Sequence, residues 1–566
     1  MDDTLNSTRK ITIVLRFIIL ALVLLLLRCF CLQLIKTDHF RSLCSRQQQK
    51  YSFEKPQRGT ILDCRGRVLA ASNQIQTVFA EPRLIKDPPA LSKLLQPILD
   101  IGADQICKLI TESKNPGFVK LKTGTDTRQS RAAGKIHGIG VQSDWHRHYP
   151  AGSLAAHLVG FTSTDNNGLA GVELQYNDKL TGSSGRSTFL ADVSRRPIRL
   201  KQIIPPTDGA GLILTIDATI QQFTRARLLK QYQSYNAESA VAIVARPRTC
   251  QILAMVSLPD FDPQKPGSHD PNDLRNRALT DTFEPGSIIK PIVAAIALDA
   301  GVVTTEEQIF CENGNYHGRG FGRIGEYKKG FGNLTLRNIL AYSSNIGMAK
   351  IGQKLGKDRL YEGLTRFGFG KKTGIDLPGE APGLLRPPEK WTGYSVTRIP
   401  FGQEIAVTAI QLIKAYCTLV NSGIPARPYL VEAAVTGAGR VQRLKKPPLP
   451  IGFVVKPEIA EWLITEALVA AVNEGTGRRA KLKKYQLFGK TGTANIAKST
   501  EKGYSERNYA ASFIAGAPAD DPQVLVLVSV RKPDVSLGKG YTGGTVAAPV
   551  AAKILEKTLN YLQKNR

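Results

Sequence analysis

The hydrophobic pattern of the chain changes character several times. From Ile11 to Ile35 almost every position is apolar, interrupted chiefly by Arg16, Arg28 and Gln33. A segment of that length can cross a ~30 Å hydrocarbon core, and both arginines lie near enough to its ends to snorkel. Leu and Ile fill all faces between Phe17 and Leu27, which argues against a buried helix of a soluble domain. The run ends without a small-x-small site, which favours an uncleaved anchor over a cleaved signal peptide. Arg9 and Lys10 precede the span while Lys36, Arg41, Arg46 and Lys50 follow it, so flanking charge does not orient it. Thr37 to Lys50 is polar and Gln-rich, a helix or a linker.

Beyond the anchor, short strand patterns alternate with turns up to about Pro206: Thr60-Ile61-Leu62, Thr77-Val78-Phe79-Ala80 and Phe118-Val119-Lys120-Leu121, with one helical stretch from Pro89 to Ile110. Pro205-Pro206-Thr207-Asp208-Gly209 is a turn cluster and marks a domain boundary. After it, Leu212 to Asp217 predicts a strand leading into an amphipathic helix. Ala240 to Val244 and Ile252 to Val256, flanking Arg246-Pro247-Arg248, predict a hairpin. Ala510 to Ile514 and Val524 to Val530 predict further strands, closed by a helix from Ala547 to Leu562. Strands at both ends and a long helical middle give an α+β domain with an antiparallel sheet flanked by helices. The loop from Gly314 to Gly332, with seven glycines, predicts no element.

Composition bounds the class. At 566 residues the chain exceeds one core, and 42% hydrophobic residues with 51 Gly exclude wholesale disorder and collagen-like repeats. The net charge of +29 calls for an anionic partner. Lys and Arg are spread along the chain rather than clustered with aromatics, which sets nucleic acid aside and leaves anionic lipid or an acidic polymer. Eight cysteines without a C-x-x-C pair and seven dispersed histidines point to no metal and no disulfide framework.

The candidate chemistry lies in three short motifs, each weak alone. Ser-x-x-Lys begins at Ser7, Ser52, Ser287, Ser499, Ser529 and Ser536; Ser-x-Asn at Ser113, Ser234 and Ser343; Lys-Thr-Gly at Lys122, Lys372 and Lys490. Context selects among them. Only Ser287 follows a helix-start signal, Phe283-Glu284-Pro285-Gly286, and heads a long apolar run from Pro291 to Leu298. Positions i and i+3 of a helix share a face, so Lys290 is placed one turn from the Ser287 hydroxyl. A neighbouring amine is what an activated serine needs where no histidine serves. A Ser-His-Asp triad could draw only on His269 or His317 in this part of the chain. Ser343-Ser344-Asn345 falls at a junction between two helical patterns, where the plain alternative is an N-cap serine. Lys490-Thr491-Gly492-Thr493 reads as a strand edge whose glycine permits close approach. Lys372 leads into a structural-looking turn, and Lys122 lies in another domain.

In that order, Ser287-x-x-Lys290, Ser343-x-Asn345 and Lys490-Thr491-Gly492 resemble the signature of penicillin-binding proteins and serine β-lactamases. Arg58-Gly59-Thr60-Ile61-Leu62-Asp63, Arg147-His148-Tyr149-Pro150 and Gly168-Leu169-Ala170-Gly171-Val172-Glu173 resemble the pedestal motifs of class B, monofunctional penicillin-binding proteins. Cys64-Arg65-Gly66 departs slightly from the family pattern. The resemblance implies a cytoplasmic tail at residues 1–10, an anchor at 11–35, a pedestal or dimerisation domain at 45–206 and an extracytoplasmic transpeptidase domain at 210–562. It also implies serine-type DD-transpeptidation of peptidoglycan through an acyl-enzyme, and covalent binding of penicillin.

By the same resemblance Ser287 is the nucleophile, Lys290 its general base, Ser343 a proton relay and Asn345 an orienting group. Lys490, Thr491, Gly492 and Thr493 form the substrate-binding strand, and the backbone N–H groups of Ser287 and Thr493 the oxyanion hole. No metal or organic cofactor is implied. The implied partners are stem peptides, β-lactams, a glycan polymerase and membrane proteins of the division complex, with no nucleic acid. Elongation-type members usually carry Ser-x-Asp at the second motif, so Asn345 tilts the resemblance to the septal-division type. An elongation-type transpeptidase, a non-catalytic division scaffold, and a β-lactamase or β-lactam sensor on the same fold stand as alternatives.

Overall fold

The computed structural model describes residues 2–191, 197–318, 320–326, 330–437, 439–444, 452–497 and 504–565. The Ser499 motif lies outside the described residues. The chain separates into two compact units, Met1–Pro56 with Gly182–Asp208, and Gln57–Thr181 with Gly209–Arg566.

In the first unit the apolar run forms the helix Asp2–Phe30, continued by a wider π-helical stretch at Cys31–Ile35. The segment Arg9–Ile35 is long and apolar enough to cross a membrane, and none of its most apolar stretch is buried. The polar segment after it is a helix, Thr37–Gln48, rather than a linker. Gln49–Glu54 then pairs with Gly185–Ala191, which pairs with Pro197–Ile204, in a three-stranded antiparallel sheet.

The second unit contains two large sheets. One has seven strands. Val441–Arg443, Val431–Val435, Gly211–Leu214, Ile61–Leu62, Val68–Ala80 and Val119–Thr125 follow in that order, and Ile139–His148 also pairs with Val68–Ala80. Gly211–Leu214 lies between Ile61–Leu62, to which it is parallel, and Val431–Val435, to which it is antiparallel. The single helix expected from Pro89 to Ile110 is two, Pro88–Leu99 and Ala103–Thr111. Asp100 ends the first in the left-handed region (φ 55°) and Gly102 starts the second. Together they bury Leu91, Leu95, Leu99, Ile106 and Ile110 against Val78, Val119 and Leu121.

The three pedestal motifs meet at one carboxylate. Glu173 Oε2 accepts from Arg58 Nε and Oε1 from Arg147 Nε, each at 2.6 Å, and these side chains are at most 2% exposed. Arg58 also donates to the Glu173 carbonyl (2.9 Å), Asn177 Oδ1 (3.0 Å) and Thr181 Oγ1 (2.8 Å). A buried charge set of this kind persists only where every partner is present.

The other sheet has five antiparallel strands in the order Gln251–Leu258, Ser239–Arg246, Val524–Arg531, Tyr504–Ala517 and Phe488–Ala497. Its central strands read as continuous apolar runs because both faces are covered. Val241, Ile243 and Ala245 join one core together with Leu525 and Leu527; Ala242, Val244, Val526 and Val528 join the other. The alternation follows from the two-residue period of a strand. Helices Ala218–Ser234 and Ala548–Lys564 contribute to the second core; Lys290–Asp299, Asn345–Arg366 and Ala409–Val420 contribute to the first. The expected α+β architecture is the observed one, and Phe488–Ala497 is an outer strand as its motif predicted.

Candidate active site

Ser287 lies not in the long helix but in the 3-10 turn Gly286–Ile289 just ahead of it, and Lys290 is the first residue of the helix Lys290–Asp299. Residues i and i+3 eclipse in a 3-10 turn, so the one-turn spacing survives the change of helix type. The turn is held from three sides. Tyr416, fully buried, donates its hydroxyl to the Ile288 carbonyl at 2.8 Å, and Gly286 N donates to the Gly402 carbonyl at 3.2 Å. Gly402 sits at φ 88°, and a Cβ there would lie 2.2 Å from the Gly286 carbonyl oxygen, so only glycine fits. The Lys-Thr-Gly strand closes the third side: a Cβ on Gly492 would lie 2.9 Å from Ile288 Cγ1 and from the Pro285 carbonyl oxygen.

Ser343 and Ser344 have different tasks. Ser343 ends the helix Leu336–Tyr342 in the left-handed region (φ 65°), an uncommon state for a residue with a side chain. Ser344 is the N-cap of Asn345–Arg366 and accepts from Gly347 N at 2.9 Å. The N-cap role weighed against the second motif therefore belongs to its middle residue, and Ser343 and Asn345 are left to meet Lys290. Lys290 Nζ lies 2.7 Å from the Ser343 carbonyl oxygen, 2.8 Å from Asn345 Oδ1 and 3.3 Å from Ser343 Oγ.

Lys290 is 0% exposed, and burial pushes its amine down from 10.5 to about 7, against a smaller upward pull from Glu326 and Cys311. A neutral amine has two N–H donors and one lone pair. The two shortest contacts, to the Ser343 carbonyl and to Asn345 Oδ1, use both donors and leave the lone pair for a hydroxyl proton. Lys490 is equally buried, and its Nζ has no hydrogen-bond partner among the described residues. Burial first, and Lys290 second, hold it well below the usual lysine range. An anion arriving beside it would favour the protonated form of this amine.

Strand alternation turns Lys490 and Gly492 to one side and Thr491 and Thr493 to the other. Thr491 Oγ1 shares a 2.6 Å hydrogen bond with Thr476 Oγ1, and Thr493 Oγ1 accepts from Gly543 N at 3.0 Å, which leaves the Thr493 proton to donate. Sequence reasoning did not find Thr476, Tyr416 or Gly402. It also missed Glu326, which follows the hairpin of Asn315–Gly318 and Gly322–Gly325 in the loop that predicted no element. Its carboxylate accepts from Ser344 Oγ, from Asn345 N at 2.8 Å and from Ile346 N at 3.1 Å. Glycine density hid the hairpin. A cavity of about 330 Å³ lined by Val472, Asn473 and residues 481–487 shares no residue with this cluster. Of the histidines considered, His269 accepts from Asp262 N at 3.1 Å.

The fold and the motifs define the class, and comparison with known proteins defines the family. Residues 240–556 match the penicillin binding protein transpeptidase domain and residues 53–214 the penicillin-binding protein dimerisation domain. The chain belongs to this family of class B penicillin-binding proteins. It is 34% identical over 560 residues to stage V sporulation protein D of Bacillus subtilis, covering 97% of this chain and 85% of that one. It is 31% identical over 548 residues to peptidoglycan D,D-transpeptidase FtsI of Escherichia coli, covering 95% and 89%. A peptidoglycan synthetase from Bifidobacterium adolescentis shares the fold, with a TM-score of 0.75 at 24% identity over 91% of this chain and 97% of that chain.

Proposed function

We infer that the chain is a serine-type peptidoglycan D,D-transpeptidase that acts outside the cytoplasmic membrane, anchored by the helix at 11–35, with a pedestal at 45–206 and a catalytic domain at 210–562. The observation that carries the reading is the buried Lys290 amine, held by Ser343 and Asn345, together with a buried Lys490 that has no hydrogen-bond partner among the described residues. Ser287 Oγ attacks the carbonyl carbon between the two D-Ala residues of a stem peptide, and its proton passes to the Lys290 lone pair. Ser343 relays a proton to the leaving amine; the peptide bond breaks, D-Ala departs and an ester to Ser287 remains. The amine of a second stem peptide then takes the acyl group and restores the serine hydroxyl. Lys490, Thr491 and Thr493 hold the terminal carboxylate through charge-assisted hydrogen bonds. Backbone N–H groups of Ser287 and Thr493 stabilise the oxyanion, each contributing on the order of 3 kcal/mol.

Intact-mass spectrometry of the detergent-solubilised chain after exposure to penicillin tests this. One adduct on Ser287, lost in Ser287→Ala with the fold intact, is expected; an unlabelled wild type would overturn the reading, and rapid turnover of the adduct would point to a β-lactamase instead. The pattern at the second motif, Asn345 rather than Asp, supports a septal role. A fluorescent fusion that follows the side wall of dividing cells rather than the septum would refute it.

A further inference from the structure

Among the described residues, Glu326 is the one carboxylate joined to the second motif that the proposed mechanism leaves without a task. Its two oxygens take three hydrogen bonds, from Ser344 Oγ, Asn345 N and Ile346 N. The residue before it adds a fourth link, because the Gly325 carbonyl accepts from Asn345 Nδ2 at 3.1 Å. Asn345 is thus clamped at its backbone and at its side-chain nitrogen, which leaves Oδ1 aimed at Lys290 Nζ. Ser344 already caps this helix through Gly347 N. Glu326 takes two more N–H groups of the helix's first turn, those of Asn345 and Ile346, and its contacts converge on the residue that orients the amine.

The charge balance points the same way. Two lysines, Lys290 and Lys490, are buried; the ionisable groups acting on Lys290 are Glu326 and Cys311, and the one acting on Lys490 is Lys290. Lys350, on the same helix as Asn345, is paired with Glu312 at 2.5 Å, so Glu326 is not its counter-ion. We propose that Glu326 is a positioning residue of the acylation site: it fixes Asn345, and through it Lys290, while its negative charge acts on the buried Lys290 amine. The inference rests on the transpeptidase reading and deepens it.

The replacement Glu326→Gln nearly keeps shape but removes the charge, and its amide nitrogen must face at least one donor N–H that the carboxylate accepted. Glu326→Asp keeps the charge with a shorter reach. The full-length chain in detergent is assayed for the rate of Ser287 acylation by a fluorescent penicillin between pH 5.5 and 9, with Ser287→Ala as blank and a melting curve for each variant. For Gln the rate at pH 8 falls about 10-fold or more, the scale of a misplaced catalytic group. Its acid limb also moves to lower pH by about 1 unit, because an opposite charge no longer favours the protonated amine.

For Asp the rate falls but the limb stays where it is in the wild type. A Gln variant with wild-type rate and limb overturns the inference. So does one that merely melts earlier while its limb stays put, or an Asp variant whose limb moves as far as that of Gln. If Gln does not fold, the Asp limb decides. A wild type that takes no label overturns the transpeptidase reading and this one together, whereas a labelled wild type with an unmoved Gln limb overturns this one alone.

Discussion

The acylation rate should follow the ionisation of a single buried amine. Moving Lys290 from 10.5 to about 7 corresponds to roughly 5 kcal/mol of preference for the neutral form, since one unit is about 1.4 kcal/mol. At pH 8 about nine-tenths of the amine is then free to accept a proton, and at pH 6 about one-tenth. With a penicillin whose only ionisable group is its carboxylate, rapid-quench acylation should fall about tenfold between those values and continue to fall tenfold per unit below them. An unperturbed lysine would instead be less than ~0.1% neutral at pH 7 and would keep the rate climbing past pH 9. A rate flat from pH 6 to 8, or one still climbing at pH 9, would refute Lys290 as the base.

The sign carries to stability. The unfolded chain binds this proton more tightly than the folded one, so the cost of burying Lys290 is full below pH ~7 and fades as pH rises toward the ordinary lysine value.

Two further changes probe the carboxylate site and the pedestal. Lys490→Met keeps the volume and removes a buried amine that has no hydrogen-bond partner among the described residues; penicillin acylation should slow about 30-fold, equivalent to ~2 kcal/mol for one charge-assisted contact, while the melting temperature rises. Glu173→Gln leaves the guanidinium groups of Arg58 and Arg147 buried beside a neutral amide, and denaturant unfolding should show a loss of roughly 3–5 kcal/mol.

The strands and helices that face a core were legible because their apolar runs are long. Val524–Arg531 and the hairpin of Ser239–Arg246 with Gln251–Leu258 appear where their patterns predicted them. The strand Ile139–His148 was not legible, because its sequence is mostly polar and its pairing with Val68–Ala80 is long-range. Asp100 escaped notice for a different reason: a single left-handed residue breaks a helix without interrupting apolar periodicity. At the site, the motif residues could be chosen by order and context. Glu326, Thr476 and Tyr416 could not, since each acts on a residue distant in sequence and none belongs to a repeating pattern. Glu326 was further masked by the glycines around it.

The seven-stranded sheet has a practical corollary for anyone trimming the protein. Gly211–Leu214 is seated between a strand from the dimerisation match and one that falls within the transpeptidase match. A fragment cut between the two matches would strip Val431–Val435 of this neighbour and leave a bare row of N–H and C=O groups, a template for sticking to other copies. The smallest well-behaved soluble fragment should therefore retain the chain from Gln49 onward, since a start at Gln57 would bare Gly185–Ala191 in the same way.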